Sequence, residues 1–402
     1  MNPRDPHPAL SEHDCTVLVL QGGGALGAYQ GGAYEGFAEA GAHPNWVAGV
    51  SIGAINAALI AGNPPEARVE RLREFWWRMS ASMPWPADGL PGPLRELRNR
   101  GTATAAGIFG IPGFFSPRWP AEWLSALSVY DTAPLEQTLR ELVDFERINH
   151  GDVRLSVGAV NVRSGNSVYF DNRHCRIGPE HIMASGALPP GFAPVVIGGQ
   201  PYWDGGMVSN SPLWYVFDEA PDLDALVLQV DLFSARGKLP GNLDEVQERM
   251  MDIRYSSKTR FNSSQLSGQE ELKAATRRLL AKLPPALQGD PDVQRLAGAS
   301  RPREISLVHL INRHDTRSGS VKDYEFSRAT VEQLWNAGLD DARRSTHHAD
   351  WCHAAEHHDE RTLGILQHLA EDVSLLLDQR AGGTGQQRRH VVHRGLLAVH
   401  DA

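Results

Sequence analysis

Gly49-Val50-Ser51-Ile52-Gly53 sets a serine between two glycines, where the apolar run Trp46–Val50 gives way to the small residues Ala54–Ala58. A strand, a tight turn and a helix in that order make a nucleophile elbow, which lifts a serine hydroxyl clear of a sheet edge. Gly49 and Gly53 fit it because the incoming strand and outgoing helix must pass close to the turn. The helix that follows begins with free N–H groups and the positive end of its dipole, which favour nearby negative charge. The chemistry on offer is attack by the Ser51 hydroxyl on an acyl carbonyl. That needs a base for the proton and donors for the oxyanion.

Donors are within reach of the first strand. Thr16–Leu20 reads as a buried strand, and Gln21-Gly22-Gly23-Gly24-Ala25-Leu26-Gly27 follows at once. Gly22, Gly24 and Gly27 also satisfy G-x-G-x-x-G, so a dinucleotide-binding loop is the rival. That fold carries an acidic residue at the end of its second strand to hold the ribose. Here the second strand ends at Ser51 with no acid. The loop is therefore read as a source of backbone N–H groups for an oxyanion, with glycines letting the backbone approach the reacting centre.

The elements that must position these residues can be read in order. A helix over 28–40 ends at Gly41, with Pro44 beyond, and its Gly31, Gly32 and Gly36 suggest close contact with the sheet. The helix after Ser51 runs to about Ile60, and a second covers 65–80. Residues 83–120 are rich in Gly, Pro and aromatics (Trp85, Ile108, Phe109, Phe114, Phe115, Trp119), either a packed irregular excursion or an apolar wall for an acyl chain. The spacing of Leu135, Leu139, Leu142, Val143 and Ile148 predicts one amphipathic helix. Arg154–Asn161 and Ser167–Phe170 form a hairpin around Ser164-Gly165-Asn166. After Ala184-Ser185-Gly186-Ala187-Leu188-Pro189-Pro190, a second hairpin turns at Gly198-Gly199-Gln200 and delivers Asp204-Gly205-Gly206. Asn210-Ser211-Pro212 opens another helix, and Ala225–Val230 is a further buried strand. Beyond it come a charged helix over 242–282, a strand over 304–312 and amphipathic helices over 322–344 and 361–379.

The 402 residues are 41% hydrophobic and 22% charged, ordinary material for a large folded core. A net charge of −9 argues against nucleic acid as a partner. The three cysteines are far apart and read as reduced thiols, and no metal or cofactor is expected. No apolar signal core stands at the start and no run is long enough to span a bilayer, so the expected setting is the cytoplasm, with peripheral lipid contact as an option.

Gly22–Gly27, Gly49–Gly53 and Asp204-Gly205-Gly206, in this order and context, resemble the patatin-like phospholipase family across residues 15–235. The stretch Lys322–Ser327 is similar to a C-terminal extension found in a bacterial subset. The resemblance implies a three-layer α/β/α sheet with a mostly helical extension. With composition marking a Pro-, His- and acid-rich tail over 1–14 and a Gly-, Gln-, Arg- and His-rich disordered tail over 381–402, the chain divides further into a catalytic domain over 15–235 and the extension over 236–380. The resemblance also implies hydrolysis of lipid acyl esters by a Ser–Asp dyad. Carried over, Ser51 is the nucleophile, Asp204 its base, and Gly22, Gly23, Gly24, Ala25, Leu26 and Gly27 the oxyanion loop, framed by Gly49, Gly53, Gly205 and Gly206. Two positions depart from the family pattern: Leu26 stands where Lys or Arg is usual, and Gln21 where Asp is common. A free aspartate is a weak base, so Asp204 must be desolvated for this role, and its apolar neighbours Tyr202 and Trp203 are compatible with that. Of the 17 histidines none sits in a distinctive motif. His309, His174 and His181 read as core or connecting residues rather than triad members. An acyltransferase or small-ester or thioester esterase would use the same acyl-enzyme, and a non-catalytic lipid-surface scaffold would use none of it.

Overall fold

The four consecutive apolar residues Val17–Leu20, with no polar alternation, can only be satisfied by burial on both faces, and Cys15–Leu20 becomes the central strand β1 of a mixed sheet. The computed structural model describes residues 15–80, 110–118, 127–220, 224–301, 305–313, 325–346 and 364–367. In the sheet, β1 lies between β2 (Trp46–Val50) and a later strand, Ala225–Asp231, both parallel to it. Taken in chain order, the other strands are β3 (Arg154–Asn161), β4 (Ser167–Asp171), β5 (Val195–Ile197), β6 (Gln200–Asp204), β7 (Ala225–Asp231), β8 (Ile305–Ile311) and β9 (Gly364–Gln367). Their spatial order is β9-β8-β7-β1-β2-β3-β6-β5, with β4 also paired to β3. β2 and β3 are parallel, while β6 runs antiparallel to β3, with Ala159 opposite Asp204. β6 overlaps only the last three residues of β3, so its end at Asp204 lies next to Gly158, the partner of Val50, where β2 ends.

Helices cover both faces. The chain-order helices are α1 (Ala28–Glu39), α2 (Ile52–Ala61), α3 (Arg68–Ser80), α4 (Ala133–Leu142), α5 (Phe145–His150), α6 (Pro179–Ser185), α7 (Leu213–Glu219), α8 (Leu243–Leu280), α9 (Pro291–Ala299) and α10 (Arg328–Thr346). Leu18, Leu20 and Val47 point into a core shared with α1, α2, α3 and α10. Val17, Val19, Trp46 and Val227 face Leu213, Val216 and Phe217 of α7 on the other side. The result is the expected three-layer α/β arrangement, and the C-terminal region is mostly helical. The sheet nonetheless runs on past residue 235, because β8 pairs with β7 over its whole length.

Three local expectations are corrected. The glycines of α1 do not face the sheet. A Cβ on Gly31 would stand 2.4 Å from the Trp335 ring, one on Gly32 1.8 Å from the Trp335 carbonyl oxygen, and one on Gly36 2.7 Å from Ala342. They are the seat of α10. The single helix expected through Leu135–Ile148 is broken into α4 and α5, since Val143 turns extended and the Asp144 carboxylate accepts the Arg147 amide at 3.0 Å to start a new helix. Within the helix expected over 361–379, Gly364–Gln367 is instead strand β9 beside β8, where a sheet edge is open to it. The rest of that segment, the N-terminal tail, the tail from 381, and the excursion apart from 110–118 lie outside the described residues.

Candidate active site

β2 ends at Val50, α2 begins at Ile52, and the one residue between them takes φ 57° and ψ −126°. Among the described residues Ser51 alone combines a side chain with positive φ. Such a conformation costs of order 1–3 kcal/mol and survives only when the surroundings fix it. They do. A Cβ on Gly49 would fall 2.3 Å from the Gly53 oxygen, and one on Gly53 2.4 Å from the Leu20 oxygen. Strand, turn and helix are therefore in backbone contact. Replacing Ser51 by glycine should leave a more stable protein than replacing it by alanine, by about 1–2 kcal/mol after the extra entropy of the unfolded glycine. Chemical denaturation of the two variants checks this.

Asp204 closes β6 against this turn and is 2% exposed. Its carboxylate accepts a hydrogen bond from the Ser51 hydroxyl, and its Oδ1 accepts the Gly206 amide at 2.7 Å. Burial pushes its pKa up to about 6, with the Ser51 and Gly206 donors pulling the other way. A carboxylate at that value can hold a proton or release it near neutrality.

The glycine loop lies across the same edge. The Gly22 amide donates to the Asn210 oxygen at 3.1 Å, and Asn210 Nδ2 donates back to the Gly22 oxygen at 2.9 Å. A Cβ on Gly22 would meet Asn210 Oδ1 at 2.4 Å and the Ser51 Cβ at 3.0 Å, so the loop touches the elbow. The Leu26 amide is used by the Gly23 oxygen at 3.2 Å. Among the described residues no acceptor stands against the amides of Gly23 and Gly24. The same is true of the Ala25 amide, and the donors at the start of the loop are in hand for an oxyanion.

The histidines are committed elsewhere. His309 Nε2 meets Asp231 Oδ2 at 2.6 Å, buried on β8, which is separated from β2 by β7 and β1. His174 is exposed and pairs with Glu219 at 2.6 Å. His181 Nδ1 accepts the Gly178 amide at 3.0 Å, and burial pushes its pKa down.

Set beside known proteins, residues 18–217 match the model described as patatin-like phospholipase, and residues 253–358 match a second, described as patatin phospholipase. The chain belongs to the patatin-like phospholipase family. It is thus a lipid hydrolase in the general sense. No curated protein matches it. Among solved structures, VipD from Legionella pneumophila is 16% identical, with 83% of this chain and 67% of that one covered and a TM-score of 0.37. A chain of the complex of full-length SpcU with full-length ExoU, from the type III secretion system of Pseudomonas aeruginosa, is 17% identical, with 92% and 74% covered and a TM-score of 0.26.

The two departures from the patatin pattern have structural reasons. Gln21 is fully buried, and its Oε1 accepts the Leu232 amide at 2.6 Å, pinning the chain after β7 beneath the loop. Leu26 is 2% exposed and part of the core, so this position does not present a side chain to substrate. Asn210 and Ser185 are the site residues that sequence reasoning missed. Asn210 was legible only as a helix opening, and Ser185 only as part of the run before Pro189. The Ser185 hydroxyl accepts the Ser51 amide at 2.9 Å.

Proposed function

We propose that this patatin-like protein is a serine acyl hydrolase that cleaves lipid acyl esters with Ser51 as nucleophile and Asp204 as its base. The observation that carries the reading is the hydrogen bond from the strained Ser51 hydroxyl to a buried carboxylate near pKa 6. As Ser51 Oγ attacks the ester carbonyl, its proton passes to Asp204. The carbonyl oxygen becomes an oxyanion facing the Gly23 and Gly24 amides at the start of the glycine loop. Asp204 then returns the proton to the leaving alcohol, and an acyl ester on Ser51 remains. Water, deprotonated by Asp204, attacks that ester and frees the acid. Ser51 is only part-buried, so substrate can reach it.

Apolar side chains around the base fit a lipid substrate. Leu188, Met207 and Val208 flank the Asp204 turn and stand 36%, 37% and 37% exposed. No helix among the described residues is long and apolar enough to cross a membrane, so the proposed lipid contact is peripheral. Labelling by a fluorophosphonate, and its loss in Ser51→Ala, tests the reading. A chain that turns over esters but never labels at Ser51 would overturn it.

The acyl chain has a candidate wall. Phe114 and Phe115 belong to an aromatic cluster in which Phe115 is 4.7 Å from Tyr130 and 5.4 Å from Phe192, and Phe114 5.8 Å from Phe326. Phe115 is fully buried, while Phe114 is only partly so. Phe114→Ala should therefore cut turnover of palmitate esters more than butyrate esters, by roughly 10- to 100-fold in the ratio. Equal loss on both esters would leave Phe114 a purely structural role.

A further inference from the structure

Ser185 closes α6 and is completely buried. Its Oγ accepts the backbone amide of Ser51 at 2.9 Å and donates to the Gly158 oxygen at 2.6 Å. The buried hydroxyl is satisfied as both donor and acceptor, and neither bond is to another side chain. Each partner matters to the site. The first is the amide of the strained elbow residue. The second is the β3 carbonyl beneath the Asp204 turn, where a Cβ on Gly205 would come to 2.5 Å. Two residues on, the Ala187 oxygen accepts the Asp204 amide at 3.0 Å. A single short segment therefore holds the backbone of both Ser51 and Asp204, which lie 153 residues apart in the chain. None of these bonds touches a group that reacts.

We infer that Ser185 is a positioning residue, whose hydroxyl sets the backbone of Ser51 so that its side chain meets Asp204. The inference rests on the Ser51–Asp204 reading above. A serine with positive φ is under strain toward other conformations, and helix α2 pulls on only one side of it. The Ser185 hydroxyl restrains the other side. Without it, the elbow amide is left without its partner, and Ser51 Oγ drifts from Asp204. Misplacing a reacting group by about 1 Å costs on the order of 100-fold in rate.

Hydrolysis of a p-nitrophenyl butyrate ester by wild type, Ser185→Ala, Ser185→Cys and Ser185→Thr tests this. Ser185→Ala should lose roughly 100-fold in kcat with KM nearly unchanged, since substrate is still bound and only the reacting geometry is spoiled. Its acid limb should move to higher pH, because the Ser51 hydrogen bond that holds the Asp204 carboxylate down is weakened. Ser185→Thr keeps the hydroxyl and should recover most of the rate. Ser185→Cys keeps the shape with a poorer acceptor and should fall between. A merely structural hydroxyl would lower the melting temperature but leave kcat per folded molecule and the acid limb where they are. That result in Ser185→Ala overturns the inference, as it would in Ser185→Cys if the alanine variant does not fold. An inactive wild type would instead bring down the proposed function itself, so the two failures are distinct.

Discussion

Replacing Asp204 by asparagine should abolish most ester turnover and, at the same time, give a protein that is harder to unfold at pH 8. The two effects have one origin. Burial holds the carboxyl near pKa 6 against an ordinary 3.8, so ionising it inside the protein costs about 3 kcal/mol relative to the unfolded chain. The sign follows from the direction of the shift. Asp204 binds its proton more tightly folded than unfolded. Its favourable contribution is therefore complete below about pH 4, fades between pH 4 and 6, and is gone above that. Asparagine is never ionised. The stability gained over wild type should thus be largest above pH 6, up to about 3 kcal/mol less the value of the lost hydrogen bonds, and should vanish toward pH 4. Activity runs the other way. Wild-type kcat/KM should climb as pH passes through about 6, where the base ionises, and level off above it. Ser51→Ala and Asp204→Asn should each lose roughly 10³- to 10⁴-fold or more, and the double variant little beyond that, because the pair acts as a unit. Denaturation and turnover across pH 4–9 check all of these. Near-full activity in Asp204→Asn, with loss in a histidine variant, would give the base another identity.

The serine turn, the glycine loop and the Asp-Gly-Gly turn were legible because each is a local pattern imposed by backbone geometry. Glycine must stand where the elbow's strand and helix touch, and that need shows in any chain that makes the turn. Asn210 and Ser185 were not legible. Each holds the site by hydrogen bonds to backbone atoms more than 130 residues away, and a single polar residue carries no mark of such a partner. The break between α4 and α5 was not readable from spacing, because one polar side chain, Asp144, decides it by starting α5. The glycines of α1 show a subtler limit. That they serve a close approach could be read from the sequence, but not what approaches, because the partner is a helix some 300 residues later.

That approach carries the largest stability effect expected in the molecule. On α1, a Cβ at Gly32 would fall 1.8 Å from the Trp335 carbonyl oxygen. On α10, a Cβ at Gly338 would fall 2.0 Å from the Tyr29 carbonyl oxygen. Each helix thus offers a glycine to the other's backbone, and backbone cannot swing aside as a flexible side chain would. Bonds around the crossing fix its register: Tyr29 donates to Asp341 at 2.6 Å, Trp335 Nε1 to Glu35 at 2.6 Å, and Arg343 pairs with Glu39 at 2.7 Å. A methyl at Gly32 can be accommodated only by moving the helices apart, which uncovers the fully buried Trp335 and Phe37. Gly32→Ala and Gly338→Ala should therefore each cost about 3 kcal/mol or more, a large part of the 5–15 kcal/mol that holds a typical domain together. The same change at Gly268, in the middle of α8, should do the opposite. No atom lies within 4 Å of that site, so alanine there should stabilise by up to about 1 kcal/mol. Activity adds a second signature. α1 starts directly after the loop that carries the Gly23 and Gly24 amides, so prying α1 from α10 disturbs the proposed oxyanion donors as well. Turnover per folded molecule should thus fall in Gly32→Ala and remain at the wild-type level in Gly268→Ala. Equal melting temperatures for the Gly32 and Gly268 variants would show that α10 is not seated on α1 as described.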